Sequence, residues 1–321
     1  MSEGLAPRTL HSFRAYGLSF SSEIRISHIP DASFAGGADV RIRLGEVFGP
    51  SYTPPPSIAV DSSPERLLIR GARSATILVS GGDSITVEPL PGGDPSVIRQ
   101  LLLGWALGGI FHQRGLLPLH ASALCNGQEC YVLCAGSGTG KSTLAAAFLD
   151  RGFSYLDDNV ALVRYRDGTP HVLPGTPELR LWADALPGLA FAHQVLGPIQ
   201  AGSSKWSVSA LESFRAEEAP IRKVFVLRRT VDRLLSFVDL GGAEKFRALM
   251  EHVFSLPTAR DLASQGRLFR LVQELAAKVG VAEVRLPAEM PSPDALCGLI
   301  LAREKDDNRS FRSGARDTRG G

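Results

Sequence analysis

At 321 residues, with 44% hydrophobic and 21% charged side chains, the chain has an ordinary globular composition and the length for two domains, or one large and one small. A net charge of +2 with no lysine-rich block excludes a global field that would draw in nucleic acid or a membrane surface. The polar stretch Met1 to Arg8 holds no apolar signal-peptide core, and the most apolar window, Leu101 to Phe111, falls well short of the ~20 residues of a spanning helix, so the sequence predicts a soluble cytoplasmic protein.

From His11 to about Leu90 the pattern is that of strands: Arg14 to Phe20, Ile24 to Ile26, Val40 to Leu44, Leu67 to Ile69, Thr76 to Val79 and Ser84 to Val87. Val40, Ile42 and Leu44 alternate with Arg41 and Arg43, as half-buried strands do, and Gly36-Gly37, Pro54-Pro55-Pro56 and Gly81-Gly82-Asp83 read as turns. A small, mostly antiparallel β-rich domain over residues 1–93 is expected.

Pro91-Gly92-Gly93-Asp94-Pro95 reads as a boundary, with Asp94 capping a helix that has Pro95 at its first position and runs to about Arg114. Its Ile98, Leu101, Leu102, Trp105, Leu107, Ile110 and Phe111 are too apolar for a surface stripe, so the helix is expected in a core. Leu116 to Leu124 follows as a strand, and Asn126-Gly127 signals a two-residue hairpin back into Glu129 to Cys134. Counting outward from that turn places His120 opposite Val132 or Leu133, either beside the loop that follows or as a satisfied core residue.

The stretch Ala135-Gly136-Ser137-Gly138-Thr139-Gly140-Lys141-Ser142-Thr143 sits between an apolar strand and the helix formers Leu144 to Leu149. It matches G-x-x-x-x-G-K-[ST] with Ala135 in place of the first glycine. Such a loop binds phosphate because glycine reaches the backbone angles that turn successive N–H groups inward, while the following helix adds its positive dipole end. Lys141 is expected to reach the β/γ-phosphates and Ser142 to ligate Mg²⁺, so ATP and Mg²⁺ are the predicted cofactors.

Past the expected helix stop at Arg151-Gly152, the strand Phe153 to Leu156 delivers Asp157-Asp158-Asn159. Two carboxylates there can be divided between Mg²⁺ and a substrate hydroxyl, or form a solvated turn. Glu178 and Arg180 share one strand face and either meet metal and phosphate or simply face solvent. Arg228-Arg229 closes a central strand, at phosphate or in water. Gly197 to Ser209 reads as a polar loop around Lys205-Trp206. Two helical patterns follow, Ala243 to Phe254 and Thr258 to Val279, then a strand Val281 to Leu286, a helix Pro293 to Arg303 and a disordered tail over 304–321. The cysteines Cys125, Cys130, Cys134 and Cys297 include no C-x-x-C and read as core thiols, against a metal site of Cys125, Cys130 and His120.

The run Leu119-His120-Ala121-Ser122-Ala123, the loop Gly136 to Thr143, Arg151-Gly152-Phe153 and Asp157-Asp158 together resemble the HPr kinase/phosphorylase family, and more closely its shorter bacterial relatives. Some of those begin with a β-rich segment like Phe13 to Leu18 and phosphorylate a serine of a lasso-peptide precursor. The resemblance covers Leu116 to Trp182 well and the chain to Leu301 loosely. It implies an α/β protein with a mixed sheet: a phosphoenolpyruvate-carboxykinase-like P-loop kinase domain, residues 94–303, behind the β-rich domain. By the same resemblance one aspartate of the pair is the base for a target serine, Asp158 ahead of Asp157, with Asp157 then near the metal; His120 supports the base, and Lys141 with the loop holds ATP. From Gly152 to the Asp pair this chain is one residue shorter than the family's usual spacing, so an ungapped match puts Asn159 in the second Asp position. Its later metal-binding Glu lies in a motif this chain lacks, which leaves Glu178 as the candidate. The implied function is an ATP- and Mg²⁺-dependent serine kinase acting on a small protein or peptide; the alternatives are a small-molecule kinase and a non-catalytic ATP-binding regulator. The resembled enzymes form homo-oligomers, a state that this sequence neither requires nor excludes.

Overall fold

The computed structural model describes residues 9–26, 29–48, 55, 57–71, 73–200, 202–254 and 265–317, the stretch 307–317 by its backbone alone. Strands β1 (His11–Ala15), β2 (Leu18–Ser22), β3 (Val40–Leu44), β4 (Ala59–Ser63), β5 (Arg66–Gly71), β6 (Ala75–Ser80) and β7 (Ser84–Pro89) form one sheet in the order β1-β2-β3-β7-β6-β5-β4. Its pairs are antiparallel except β2 with β3 and β3 with β7. The expected single strand Arg14 to Phe20 is instead two strands folded at Tyr16-Gly17, where both residues take positive φ, 55° and 69°. That backbone matches the twist of a two-residue hairpin, but it is uncommon for a tyrosine. Ile24 to Ile26 is not a strand, and β4 is one the sequence pattern does not reveal.

Asp94 caps α1 (Pro95–Leu101) by accepting the Ser96 N–H at 2.8 Å. A π-helical turn over Leu102–Ala106 joins α1 to α2 (Leu107–Gln113). Ile98, Leu101, Leu102, Ile110 and Phe111 bury themselves in the same core as β1 to β7, together with Val160, Leu162 and Leu173 from further along the chain. The packing therefore does not change hands at residue 94.

The chain continues through β8 (Leu117–Leu119), β9 (Ala121–Asn126), β10 (Glu129–Ala135), α3 (Lys141–Leu149), β11 (Ser154–Asp157), β12 (Ala161–Arg166), β13 (Thr169–Leu173), β14 (Glu178–Trp182), β15 (Gln194–Pro198), β16 (Lys205–Ser209), β17 (Ala219–Arg229), β18 (Ser236–Asp239), α4 (Gly242–Glu251), α5 (Gln265–Lys278), β19 (Gly280–Leu286) and α6 (Pro293–Asp317). The second sheet is mixed: β10 lies antiparallel to β9 and parallel to β17, which is itself parallel to β19. One of its faces packs under α4 and α5, and the other under α3, α6 and the small sheet β14-β16-β15. The protein is thus a mixed α/β structure, and no described helix is long and apolar enough to cross a membrane.

Four further expectations change. The run Leu116 to Leu124 breaks at His120, because β8 pairs with β12 while β9 pairs with β10 and β11. In the hairpin, Asn126 pairs with Glu129 and Gly127-Gln128 makes the turn, so Cys134 faces Ala121 and His120 lies about two residues nearer the phosphate loop than counted. The expected polar loop at 197–209 ends in β16. The expected disordered tail is helical to Asp317: Glu304, a buried member of α6, meets Lys223 Nζ at 3.1 Å, which ties the start of the charged stretch to β17. Residues 318–321 and the start of the expected helix at 258–264 lie outside the described residues.

Phe111 is fully buried and sets its ring edge-on to Tyr16 at 4.9 Å, where the first sheet meets the second. Phe111→Ala is expected to cost about 3–5 kcal/mol in urea unfolding.

Candidate active site

Local sequence builds the glycine-rich loop. β10 ends in Ala135, buried opposite Leu227 of β17, so the first loop position belongs to the sheet and a methyl group fits there. The chain then turns through Gly138 and Gly140 at φ 79° and 100°, angles that favour glycine. Thr139 N–H donates to Gly136 O at 3.3 Å, and no side chain caps the helix that begins at Lys141. The first-turn N–H groups and the helix dipole therefore remain for an anion.

The loop lines a pocket of about 140 Å³ with His120, Asp158, Asn159, Arg180, Trp182, Ile199 and Lys205. This is small beside the roughly 300–1,000 Å³ of whole-ligand sites and suits a phosphate tail. Its lining holds three cationic side chains, Lys141, Arg180 and Lys205, and one carboxylate, Asp158. Lys141 Nζ donates to Asp158 O at 2.8 Å and Ser122 Oγ at 3.2 Å, and lies 3.8 Å from Asp158 Oδ1. Ser122 Oγ donates to Asp158 Oδ1, and the Arg180 N–H donates to Oδ2 at 3.2 Å. Burial, and then the charge on Lys141, lower the Lys205 amine, which sits 5.0 Å over the Trp182 ring.

His120 reaches this pocket because its N–H is fixed to His252 O at 2.7 Å. Burial pushes its imidazole down to about 4, helped by the Lys141 charge and opposed by a hydrogen bond with the Asn159 backbone and by Asp158. It is therefore a neutral ring at pH 7, able to accept a proton or orient a hydroxyl.

Asp157 does not line the pocket. Its Oδ1 accepts the N–H groups of Asn159 and Val160 at 2.6 and 2.7 Å, and its Oδ2 accepts Tyr16 OH at 2.8 Å and the Thr176 N–H at 3.1 Å. Burial raises its carboxyl and these donors oppose the rise. The Tyr16 N–H donates to Pro174 O at 2.6 Å, and a Cβ at Gly175 would fall 2.0 Å from Asp157 Oδ2, so only glycine lets the chain pass. An expected place near the metal gives way to a closed structural knot, because the side chain before Asp158 on an extended chain points to the opposite side.

Glu178 likewise lies off the pocket, paired with Arg99 at 3.2 Å and Arg180 at 3.6 Å. Arg228 pairs with Glu251 and Glu283, both at 2.9 Å, rather than reaching the loop. The four cysteines are free and buried, and among the described residues no group of three or more His, Cys, Asp or Glu is placed to hold a metal ion. Of the residues expected at Mg²⁺, Ser142 lies in the lining of the pocket, and Asp157 and Glu178 do not. Ser122 and Tyr16 were not legible as site residues. Ser122 carried a signal, since it stands in the run Leu119 to Ala123 two residues after His120; Tyr16 carried none.

Two outcomes follow from this geometry. Asp157→Ala leaves Tyr16 OH and three N–H groups unpaired and is expected to cost about 3–5 kcal/mol in urea unfolding. For His120, unfolding restores a value near 6.5, so the stability it contributes is complete above that pH and is lost as pH falls toward 4. His120→Gln is therefore expected to flatten the acid side of the stability curve between pH 6.5 and 4, by at most on the order of 3 kcal/mol.

A scan of protein-family models finds no match to the chain, and a search of the curated proteins finds none either. Among solved structures, the chain is similar to the HPr(Ser) kinase/phosphatase from Coxiella burnetii, at a TM-score of 0.32 and 10% sequence identity, over 61% of this chain and 98% of that one. A likeness at that level carries no argument about activity.

Proposed function

We propose that the chain is an ATP- and Mg²⁺-dependent kinase that phosphorylates a serine hydroxyl of a small protein or peptide, on a phosphoenolpyruvate-carboxykinase-like P-loop domain. The observation that carries this reading is Asp158: a carboxylate in the wall of a phosphate-loop pocket, 3.8 Å from the loop lysine and held on both oxygens. The motif resemblance of Leu119 to Ala123, the loop and the Asp pair supports the same class.

In this reading the loop N–H groups and Lys141 hold the phosphate tail, and Arg180 and Lys205 add positive charge to the lining. Mg²⁺, when bound, neutralises charge on the phosphates. The serine oxygen forms a bond to the γ-phosphorus, the bond to the β–γ bridging oxygen breaks, and the serine proton passes to Asp158. The neutral ring of His120 orients the hydroxyl. Ser122 and the Arg180 N–H keep the carboxylate from rotating, which is the positioning on which phosphoryl transfer mostly relies.

With γ-labelled ATP and a peptide acceptor, Lys141→Ala is expected to abolish transfer and weaken ATP. Asp158→Asn is expected to keep ATP binding within a few-fold and lower transfer by at least ~10². Retained transfer in Asp158→Asn would overturn the assignment of the base, and unchanged γ-phosphate in the wild type with every acceptor would leave a nucleotide-binding regulator.

A further inference from the structure

A second and larger cavity, of about 430 Å³, lies next to the phosphate pocket. Three parts of the chain build it: Ile26 and Leu44 from the first sheet and its connections, Ile98 and Arg99 from α1, and Leu196 from β15, with Arg25 also in its wall. Among the described residues no carboxylate lines it. The cavity is thus apolar with two guanidinium groups, one exposed on Arg25 and one on Arg99 that is shared with Glu178.

Two connections join this cavity to the proposed chemistry. Pro198 lines the cavity and the next residue, Ile199, lines the phosphate pocket, so a single strand end separates them. Gln100 Nε2 donates to Ile199 O and fixes that wall to α1. A line of charge also crosses: Arg99 to Glu178 at 3.2 Å, Glu178 to Arg180 at 3.6 Å, and the Arg180 N–H to Asp158 at 3.2 Å. Furthermore, β15 is the outer strand of its sheet, pairing with β16 alone among the described residues. An outer strand offers main-chain partners to an extended chain.

We propose that this cavity seats the acceptor polypeptide as an extended, apolar segment carrying an Asp or Glu side chain. The carboxylate meets Arg25 and Arg99, the main chain runs along β15, and a serine further on passes Pro198 and Ile199 to reach Asp158. The inference rests on the kinase reading and names its substrate class. Apolar walls alone would take many ligands. Two guanidinium groups against the one carboxylate of Glu178, which Arg99 shares with Arg180, leave an excess of positive charge that selects an acidic segment and repels a basic one, and the outer strand favours a polypeptide over a small molecule.

The test uses the full chain without nucleotide and two fluorescein-labelled twelve-residue peptides of Val, Leu, Thr and Ser, one bearing two Glu and the other two Lys at the same positions. Fluorescence anisotropy is expected to show the Glu peptide binding at least tenfold tighter. Arg25→Glu and Leu196→Asp are each expected to weaken it tenfold or more, and Arg25→Glu to strengthen the Lys peptide, a charge-swap gain that a misfolded variant cannot show. Equal binding of the two peptides, no binding of either, or affinities unmoved by both variants would overturn the proposal. Lys141→Ala is expected to leave the peptide affinity in place; tight binding of the Glu peptide by the wild type with no transfer from γ-labelled ATP would sink the kinase reading and not the groove. With transfer intact, Arg25→Glu is expected to raise the KM for the Glu peptide tenfold or more; an unchanged KM would show that the acceptor enters elsewhere.

Discussion

The buried carboxylate of Asp157 is the joint on which the arrangement depends. It gathers Tyr16 from the first hairpin, Thr176 from the turn before β14, and the backbone of its own turn onto one pair of oxygens. Placing a carboxylate where water cannot reach it is costly unless every lone pair finds a donor, and four donors supply that here. Tyr16 accepts a left-handed backbone to take part, and Gly175 gives up a side chain. Strain of this kind persists where the surroundings over-determine it. Its product is the orientation of the next residue, since a fixed Asp157 turns Asp158 to the other side of the chain.

Around Asp158 the balance of charge is set by burial as much as by composition. Lys141, Arg180 and Lys205 line the pocket with a single carboxylate, so the site attracts anions although the whole chain carries only +2. His120 stays neutral because it is desolvated beside Lys141. A cationic imidazole would add repulsion to an already positive wall; a neutral ring keeps hydrogen-bonding capacity without it. Ser122 and the Arg180 N–H hold the carboxylate at both oxygens, so little reorganisation remains.

The first sheet is coupled to this site rather than appended to it. Its core takes in α1, α2, Val160, Leu162 and Leu173, and its first turn ends on Asp157. The same seam forms the cavity with Arg25 and Arg99. A β-rich region without chemistry of its own can therefore act on a neighbouring site in two ways, by fixing its carboxylates and by shaping what lies next to them.

How much of this was legible follows from the range of the forces involved. The glycine-rich loop, its flanking strand and helix, the cap at Asp94 and the turn at Gly127 are local, written in glycine positions and apolar periods within a dozen residues. Strand pairing is not local: the break at His120 comes from its two halves choosing different partners, and the shift in hairpin register from which residues fill the turn. The helical continuation past Arg303 rests on Glu304 meeting Lys223, far away in sequence. By itself, the sequence determined that a glycine-rich loop with Lys141 would sit between a strand and a helix with two aspartates close behind. Which aspartate turned toward that loop was decided only by the tertiary structure, because the donors that claim Asp157 include a hydroxyl 141 residues away, and burial forces one carboxylate of an adjacent pair to be satisfied from within the protein while its neighbour faces the pocket.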